Sequence, residues 1–408
     1  MEKLQLCIVG GCGHVGLPLG IVFAQRGDAD VTLLDLASEK TDSVNAGHMP
    51  FLEEGAEPIL KEVAGRTLRA TTDEKCVAAA DVVITVIGTP VDKHLNPTVH
   101  DLYRTLGSSL RRMRPGALLV LRSTVYPGVT KLVFDQIRRE GYNIDLAFCP
   151  ERIAEGHAIE ELTTLPQIVS AFEERAMGRA RELFLRITPR TIELDPLEAE
   201  LAKLFTNSWR YLNFAISNQF YMVARQYGLD FNNIHQAVTS EYPRMKSFAR
   251  AGFAAGPCLL KDTLQLSAFA NNNFFLGHAA MLINEGLPNF LVDELRRTHD
   301  LPQMCVSILG MTFKADCDDV RDSLSYKLRH LLEVHAREVL SADPYVVDAS
   351  FVSLREAVDR ADIIMLGVPH SEYRDLQFPP EKILVDVWGA WNQARKPLRT
   401  FAAAQRGT

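Results

Sequence analysis

Residues 3–27 read KLQLCIVGGCGHVGLPLGIVFAQRG: an apolar run, the pattern Gly11-x-Gly13-x-x-Gly16, and then a helical pattern. A second apolar run, VTLLDL, ends at Asp35. Few folds satisfy that order. Gly11 permits a tight turn after the first strand, Gly13 lets a pyrophosphate approach the backbone, and Gly16 lets the helix pack on the strand. The helix N-terminus then offers unpaired N–H groups to a phosphate. A carboxylate at the end of the second strand accepts hydrogen bonds from ribose hydroxyls. Leu36, Ala37 and Ser38 follow Asp35 without an arginine, so a 2'-phosphate would meet an uncompensated negative charge. The expected fold at this end is a doubly wound parallel sheet, and the expected cofactor is NAD.

Further strands are expected in ADVVITVIGTP (80–90), ALLVLRSTV (117–125) and DLAFCPE (145–151). Each ends in polar or turn residues: Thr89-Pro90, Ser123-Thr124 and Pro150-Glu151. In an open parallel sheet ligands sit beyond the carboxyl ends of the strands, so these tips are expected around the cofactor.

PLEAELAKLFTNSWRYLNFAISNQFYMVARQYG (196–228) carries a single long helical pattern, with Pro196 suited to its first turn and Gly228 to its end. Lys203 and Asn207, four apart, share one face of it. Beyond it lies a faint internal repeat. MCVSILGMTF echoes the opening strand, EVLSADPYV echoes VTLLDL, and RADIIMLGVPH (360–370) echoes AADVVITVIGTP (79–90), with ILVDVWG after it. The pattern predicts two doubly wound Rossmann-like domains joined by a long central helix. The expected divisions are 1–195, 196–295 with the cysteine discussed next, and 296–408.

At 408 residues, 47% hydrophobic and 23% charged, the chain has material for two or three domains. A net charge of -7 argues against a nucleic-acid or anionic-membrane partner, and no apolar run is long enough to span a bilayer. Seven scattered cysteines without CxxC pairs fit neither a zinc site nor a disulfide framework, and point to a reducing cytoplasm. One of them, in GFAAGPCLLKDTLQL (252–266), follows Gly256-Pro257 and precedes Lys261-Asp262 within about one turn. Cys258 is either a buried hydrophobe or a nucleophile.

Over nearly its whole length the chain resembles the nucleotide-sugar 6-dehydrogenases, the family of UDP-glucose, UDP-N-acetylmannosamine and GDP-mannose dehydrogenases. The resemblance rests on GGCGHVGLP, Asp35, the VIGTP tip, STVYPGVT (123–130), PERIAEGHA (150–158), Glu200-x-x-Lys203-x-x-x-Asn207, GPCLLKD (256–262) and ILGMTFKADCDDVRDS (308–323), in the family's order. It implies that Gly11, Gly13, Gly16, Asp35, Lys40, Thr89, Thr124 and Glu155 contact NAD, with Arg321 near the cofactor. Lys203, Asn207, Cys258 and Asp262 would form the catalytic group, with Thr124 and Glu151 positioning water. Phe313 and Lys314 would contact the sugar nucleotide, and Arg244 would reach one in the same or a neighbouring subunit of a homo-oligomer, dimer or higher.

That chemistry gives the cysteine a purpose. Oxidising a primary alcohol at C6 to a carboxylate removes four electrons in two hydride transfers. The intermediate aldehyde is a poor hydride donor until a nucleophile adds, and a thiolate does so near neutral pH where a hydroxyl does not. CLLKDTLQLSAF reads as a helix beginning at the cysteine, whose dipole favours the thiolate. Lys203 and Asn207 would stabilise the alkoxide, and Asp262 and Glu151 would orient or deprotonate water. A hydroxy-acid dehydrogenase needs no such cysteine, and a non-catalytic NAD-binding protein needs none of the group.

Three departures from the family pattern bear on substrate. Ala254, Ala255, Gly256 and Pro257 thin the glycine-rich turn before the cysteine, and Pro257 removes a backbone donor. Asp386-Val387-Trp388 stands where Asp-x-Arg is common, and Asn218-Gln219 where Asn-Glu is common. HAAMLINEGLPNFLVDEL (278–295) and the short Arg244–Cys258 spacing resemble the UDP-N-acetylhexosamine branch, although Pro288 could equally open a helix. Lys261-Asp262 resembles the glucose and GDP-mannose branches. The expected substrate is a UDP-hexose, with an N-acetylated one favoured over UDP-glucose.

Overall fold

The computed structural model describes residues 3–87 and 99–391. Thr89, expected at a cofactor-facing tip, lies outside them. Along the chain come β1 (Leu4–Val9), α1 (Gly16–Arg26), β2 (Ala29–Leu34), α2 (Ser38–Asn45), α3 (Ala56–Val63), β3 (Leu68–Thr71) and β4 (Val82–Thr85). Next are α4 (Val99–Arg112), β5 (Leu118–Leu121), α5 (Val129–Arg139), β6 (Asp145–Phe148), α6 (Ala158–Thr164), β7 (Gln167–Ala171), α7 (Glu174–Leu185) and β8 (Thr191–Leu194). The long helix α8 (Pro196–Gln226), α9 (Phe231–Thr239), α10 (Leu259–Phe269) and α11 (Phe275–Thr298) follow. The chain closes with β9 (Cys305–Leu309), α12 (Leu324–Glu333), β10 (Glu338–Ala342), α13 (Leu354–Arg360), β11 (Ile363–Leu366) and β12 (Ile383–Val385).

Two compact units emerge: Met1–Ser208 with Lys261–Phe274, and Trp209–Leu260 with Phe275–Thr408. The first is built on an eight-stranded sheet of order β3-β2-β1-β4-β5-β6-β7-β8. All of its pairings are parallel except β6 with β7. Alternate residues of β1 feed two cores, Leu6 and Ile8 on one face and Cys7 and Val9 on the other. That two-sided burial is why the strand reads as an unbroken apolar run. The strand order reverses between β1 and β4, the crevice where doubly wound sheets bind ligands.

The second unit holds a parallel sheet of order β10-β9-β11-β12, the same order as β2-β1-β4-β5. Val306 and Ile308 of β9 pack with Leu291 of α11 and Leu328 of α12, while Cys305 and Leu309 pack with Ala357 of α13 and Trp391. Asp343, just past β10, accepts the N–H groups of Met311 (2.6 Å) and Thr312 (3.2 Å). It is the counterpart of Asp35 at the end of β2. Pro288 lies within α11 and does not open it, which corrects that alternative. Among the described residues no helix is long and apolar enough to cross a membrane.

Candidate active site

The glycine turn forms as expected, but its glycines divide the work differently. Gly10, not Gly11, takes the left-handed conformation, at φ 80°. Gly11 is required by space: a Cβ there would stand 2.7 Å from both the Leu33 Cβ and the Ile8 carbonyl oxygen. At Gly16 it would stand 2.8 Å from the Gly10 oxygen and the Gly11 Cα. At Gly13 it would meet only the Gly10 oxygen, at 3.7 Å. Among the described residues nothing therefore demands glycine at 13, and the open space beside it suits an approaching pyrophosphate. Asp35 accepts the N–H groups of Cys12 (3.0 Å) and Ala37 (3.1 Å), which fixes its carboxylate beside the turn. A cavity of about 490 Å³ opens beyond the tips of β1, β2 and β4, lined by Gly10, Asp35, Leu36, Val86 and Arg112 among others. Leu36, 91% exposed, offers an apolar contact at its edge. Lys40 is exposed on α2. These features fit an NAD adenosine and pyrophosphate.

Gly13→Ala is expected to fold normally and to weaken NAD binding by about tenfold or more, since only the ligand needs that space. Isothermal titration with NAD checks this; an unchanged affinity contradicts it.

Two loops beyond the strand tips are clamped by buried charges. Glu200 of α8, 1% exposed, accepts the N–H groups of Gly128 (2.6 Å) and Thr130 (2.8 Å) and the Thr130 hydroxyl (2.6 Å). Burial pushes its carboxyl above the ordinary range, against the pull of those bonds. It fastens the N-terminus of α5 and with it the STVYPGVT segment that carries half-buried Thr124. In the next loop Glu53 accepts from Gly156 N–H (2.9 Å) and Ala158 N–H (2.7 Å), and Glu161 accepts from Ala154 N–H (2.6 Å). Half-buried Glu155 sits inside that clamp. Glu151 pairs through one oxygen with buried Arg122, and its other oxygen accepts Arg152 N–H (2.7 Å) and Ile153 N–H (3.0 Å). Arg122 also reaches Gln167 Oε1 (2.9 Å) and the Cys149 carbonyl (3.2 Å), with its guanidinium 4.8 Å from the Phe184 ring centre.

Replacing Arg122 with Met leaves the Glu151 carboxylate buried without its cation. It is expected to lower the unfolding free energy by about 3–5 kcal/mol. Urea melts check this; a midpoint equal to the wild type contradicts it.

Two of the catalytic candidates in the first unit, Asn207 and Asp262, meet. Asn207 Nδ2 donates to Asp262 Oδ2 at 2.6 Å, with both residues buried. Lys261 Nζ donates to Asp262 Oδ1, also at 2.6 Å. Lys203 is half-buried on α8, one turn before Asn207.

Cys258, Arg244, Phe313, Lys314 and Arg321 belong to the second unit. Cys258 immediately precedes α10, which starts at Leu259 and not at the cysteine. All seven cysteines lie among the described residues: five are buried, Cys76 is half-buried, and Cys258 alone is exposed. Burial pushes the Cys12 and Cys149 thiols up to about 12 and Cys305 up to about 11. Those three are poor nucleophiles, and Cys258 is the exposed thiol. The Phe313 ring lies on Gly256, where a Cβ would be 2.5 Å from it and φ is 96°, so the turn before Cys258 is shaped to that ring. Trp388 likewise covers Gly252 and donates from Nε1 to the Gly367 carbonyl (2.9 Å). Lys314 Nζ is 5.9 Å from the Phe313 ring centre. Arg321 grips Asp319 through Nε (2.9 Å), and Arg244 lies over the Tyr242 ring at 5.5 Å.

Sequence reasoning passed over a buried amide network here. Asn218 Nδ2 donates to Gly252 O (3.0 Å) and Asn284 Oδ1 (2.9 Å), and Asn218 Oδ1 accepts Gly252 N–H (2.9 Å). Asn284 Nδ2 donates to Tyr211 O (3.0 Å). Asn218 and Asn284 thus anchor the segment leading to Cys258. Asn284, part of the stretch that resembled the N-acetylhexosamine branch, uses both its amide oxygen and its amide nitrogen in this structural task.

Sequence profiles of the UDP-glucose/GDP-mannose dehydrogenase family match the chain in three blocks: its NAD binding domain over residues 4–188, its central domain over 197–285 and its UDP binding domain over 307–393. A UDP-N-acetyl-D-mannosamine dehydrogenase of Pyrococcus horikoshii is 30% identical over 396 residues, covering 92% of this chain and 93% of the relative. A solved UDP-D-ManNAc dehydrogenase structure from that organism superposes with a TM-score of 0.88 at 28% identity, covering 97% of each chain. A UDP-glucose dehydrogenase structure from Pyrobaculum islandicum does so at 0.86 and 25%, covering 96% of this chain and 95% of the other. With glycine turn, second nucleotide domain and three matched blocks in place, this chain belongs to the UDP-glucose/GDP-mannose dehydrogenase family and is an NAD-dependent nucleotide-sugar dehydrogenase.

Proposed function

We propose that the enzyme oxidises C6 of a UDP-hexose to the uronic acid, a UDP-N-acetylhexosamine in preference to UDP-glucose, through a covalent bond to Cys258. The carrying observation is that Cys258, the exposed thiol among seven, directly precedes the helix whose first turn presents Asp262 to Asn207. NAD, when bound, supplies the hydride acceptor for both oxidations.

The alcohol first loses a hydride and a proton to become the aldehyde. The Cys258 sulfur then adds to the aldehyde carbon, and the carbonyl oxygen takes up a proton. Loss of a second hydride and proton from this thiohemiacetal leaves a thioester. Water adds to the thioester, the carbon–sulfur bond breaks, and the thiol and carboxylic acid are released. Lys203 stabilises alkoxide character at the reacting oxygen, and Asn207 offers the N–H it does not give to Asp262. Asp262, held by Asn207 and Lys261, orients the water. Glu151 has both oxygens committed, so its part is to hold the 150–158 loop beside Thr124 and Glu155 rather than to deprotonate water. Gly11, Gly13, Gly16, Asp35, Lys40, Glu155 and Arg321 serve the cofactor; Arg244, Phe313 and Lys314 serve the sugar nucleotide.

The sugar preference is supported by the name of the Pyrococcus relative and by the Arg244–Cys258 spacing. A Haloferax volcanii relative at 28% identity is named a UDP-glucose 6-dehydrogenase, which keeps that sugar as the second reading. Assays of the purified enzyme with NAD and each UDP-sugar in parallel decide it. Strong turnover of UDP-glucose with none of the acetylated sugars would sink the preference.

The working form is proposed to be a homo-oligomer. Trp209, Ile216, Phe220 and Val223 are exposed at helical spacing along α8, with exposed Tyr227 just past its end, a stripe suited to a second copy. Light scattering that gives a monomer mass at assay concentration would refute this.

A further inference from the structure

Two cysteines outside the catalytic group face each other, one in the NAD-binding sheet and one in a turn beside it. Cys7, in the middle of β1, is 1% exposed, and its Sγ lies 3.7 Å from that of half-buried Cys76. Cys76 sits in a short 3-10 turn, Glu74–Ala79, between β3 and β4. Its neighbours Glu74 and Val77 line the cofactor cavity together with Asp35. We propose that Cys7 and Cys76 are a reversible thiol–disulfide pair that couples peroxide exposure to NAD affinity.

The geometry supplies the parts. Two sulfurs in contact need to close by roughly 1.7 Å to reach bonding distance near 2.05 Å. Cys7 is fixed in a central strand, paired in register with Thr32 of β2 and Val83 of β4, so the turn carrying Cys76 must move instead. Cys76 is the sulfur a small oxidant can reach. The hydrogen bond from Cys7 holds the Cys76 thiol below its ordinary value, and the Arg69 charge assists, so Cys76 is the initial nucleophile. The same contact, with burial, raises Cys7, which keeps its proton until the second step.

The Cys76 thiolate attacks one peroxide oxygen, the O–O bond breaks, and the departing hydroxide takes a proton to leave as water. The Cys7 sulfur then attacks the resulting sulfenic sulfur, and the displaced hydroxide leaves with the Cys7 proton as a second water. Two thiols lose two electrons and hydrogen peroxide gains them. Closing the bond draws Glu74 and Val77 with Cys76 and reshapes the wall of the adenosine cavity. Excess dithiol reverses it by exchange. In a reducing compartment such a pair is oxidised only transiently, as redox-sensing cysteines are.

The test treats full-length enzyme with hydrogen peroxide, quenches it, and follows two readouts: peptide mapping by mass spectrometry under non-reducing conditions, and NAD affinity by titration. The expected result is a linked Cys7–Cys76 peptide, an NAD affinity weakened about tenfold, and recovery of both by dithiothreitol. Cys76→Ser, at a half-exposed position, is expected to bind NAD like the reduced wild type and to keep that affinity after peroxide. Cys258 oxidation is mapped as a separate peptide and is silent in the NAD readout. Absence of the linked peptide, with Cys76 either unmodified or over-oxidised to the sulfinic acid, would overturn the pairing. A linked peptide with NAD affinity changed less than about twofold would overturn the coupling.

Discussion

Replacing Cys258 with alanine is expected to abolish uronic acid formation, with turnover to the acid falling at least about 10³-fold, while NAD binding stays within about twofold of wild type. The asymmetry follows from where the parts lie. The glycine turn and Asp35 are in the first unit, whereas Cys258 is in the second and makes no part of the turn. Cys258→Ser separates nucleophile from mere bulk, because a hydroxyl fills the same space but is far less ionised near neutral pH. The serine variant should be as deficient in acid as the alanine variant. Product analysis by mass spectrometry checks this, and full carboxylate output from either variant contradicts it.

Asp262→Asn carries the next largest effect. The substitution keeps size and a possible bond to Asn207 but removes the charge that Lys261 pairs with at 2.6 Å. If Asp262 orients or activates the water that releases the acid, turnover should fall by about 10²–10⁴-fold, the range for loss of a positioned acid–base group. The KM for NAD should stay within about threefold, since none of the turn residues touches Asp262. Steady-state kinetics at a temperature well below the melting midpoint checks this; turnover within about threefold of wild type would remove Asp262 from the chemistry.

The first half of the fold was legible because parallel strands buried on both faces leave continuous apolar runs, as in LQLCIV and LLVL. The second sheet was legible through its echo of the first, down to Asp343 standing where Asp35 stands. β7 and β8 were not anticipated. β8 reads TIEL with no fully buried position, and β7 joins its neighbour β6 antiparallel, outside the alternating pattern that revealed the others.

At the site, residue types that announce a chemistry were found, and residues that only hold others were not. Arg122 was read as the end of a strand; arginine is rarely fully buried, and nothing in RSTV shows that its guanidinium meets Glu151. Glu53, about a hundred residues from the loop it clamps, left no local trace. Asn218 was noticed only as the neighbour of Gln219, where the family pair has Glu, and its two bonds to Gly252 explain why an amide stands there. Such long-range hydrogen bonds have no periodicity, so a linear reading cannot supply them.

The most direct test of the account is the ratio of NADH formed to uronic acid formed with the preferred UDP-sugar. Absorbance at the nicotinamide band and chromatographic quantitation of the acid give the two numbers from one reaction run to completion. Four-electron oxidation through Cys258 predicts two NADH per acid, with no free aldehyde accumulating in wild type. One NADH per substrate, with an aldehyde or ketone as the product, would contradict it and leave only a two-electron dehydrogenase.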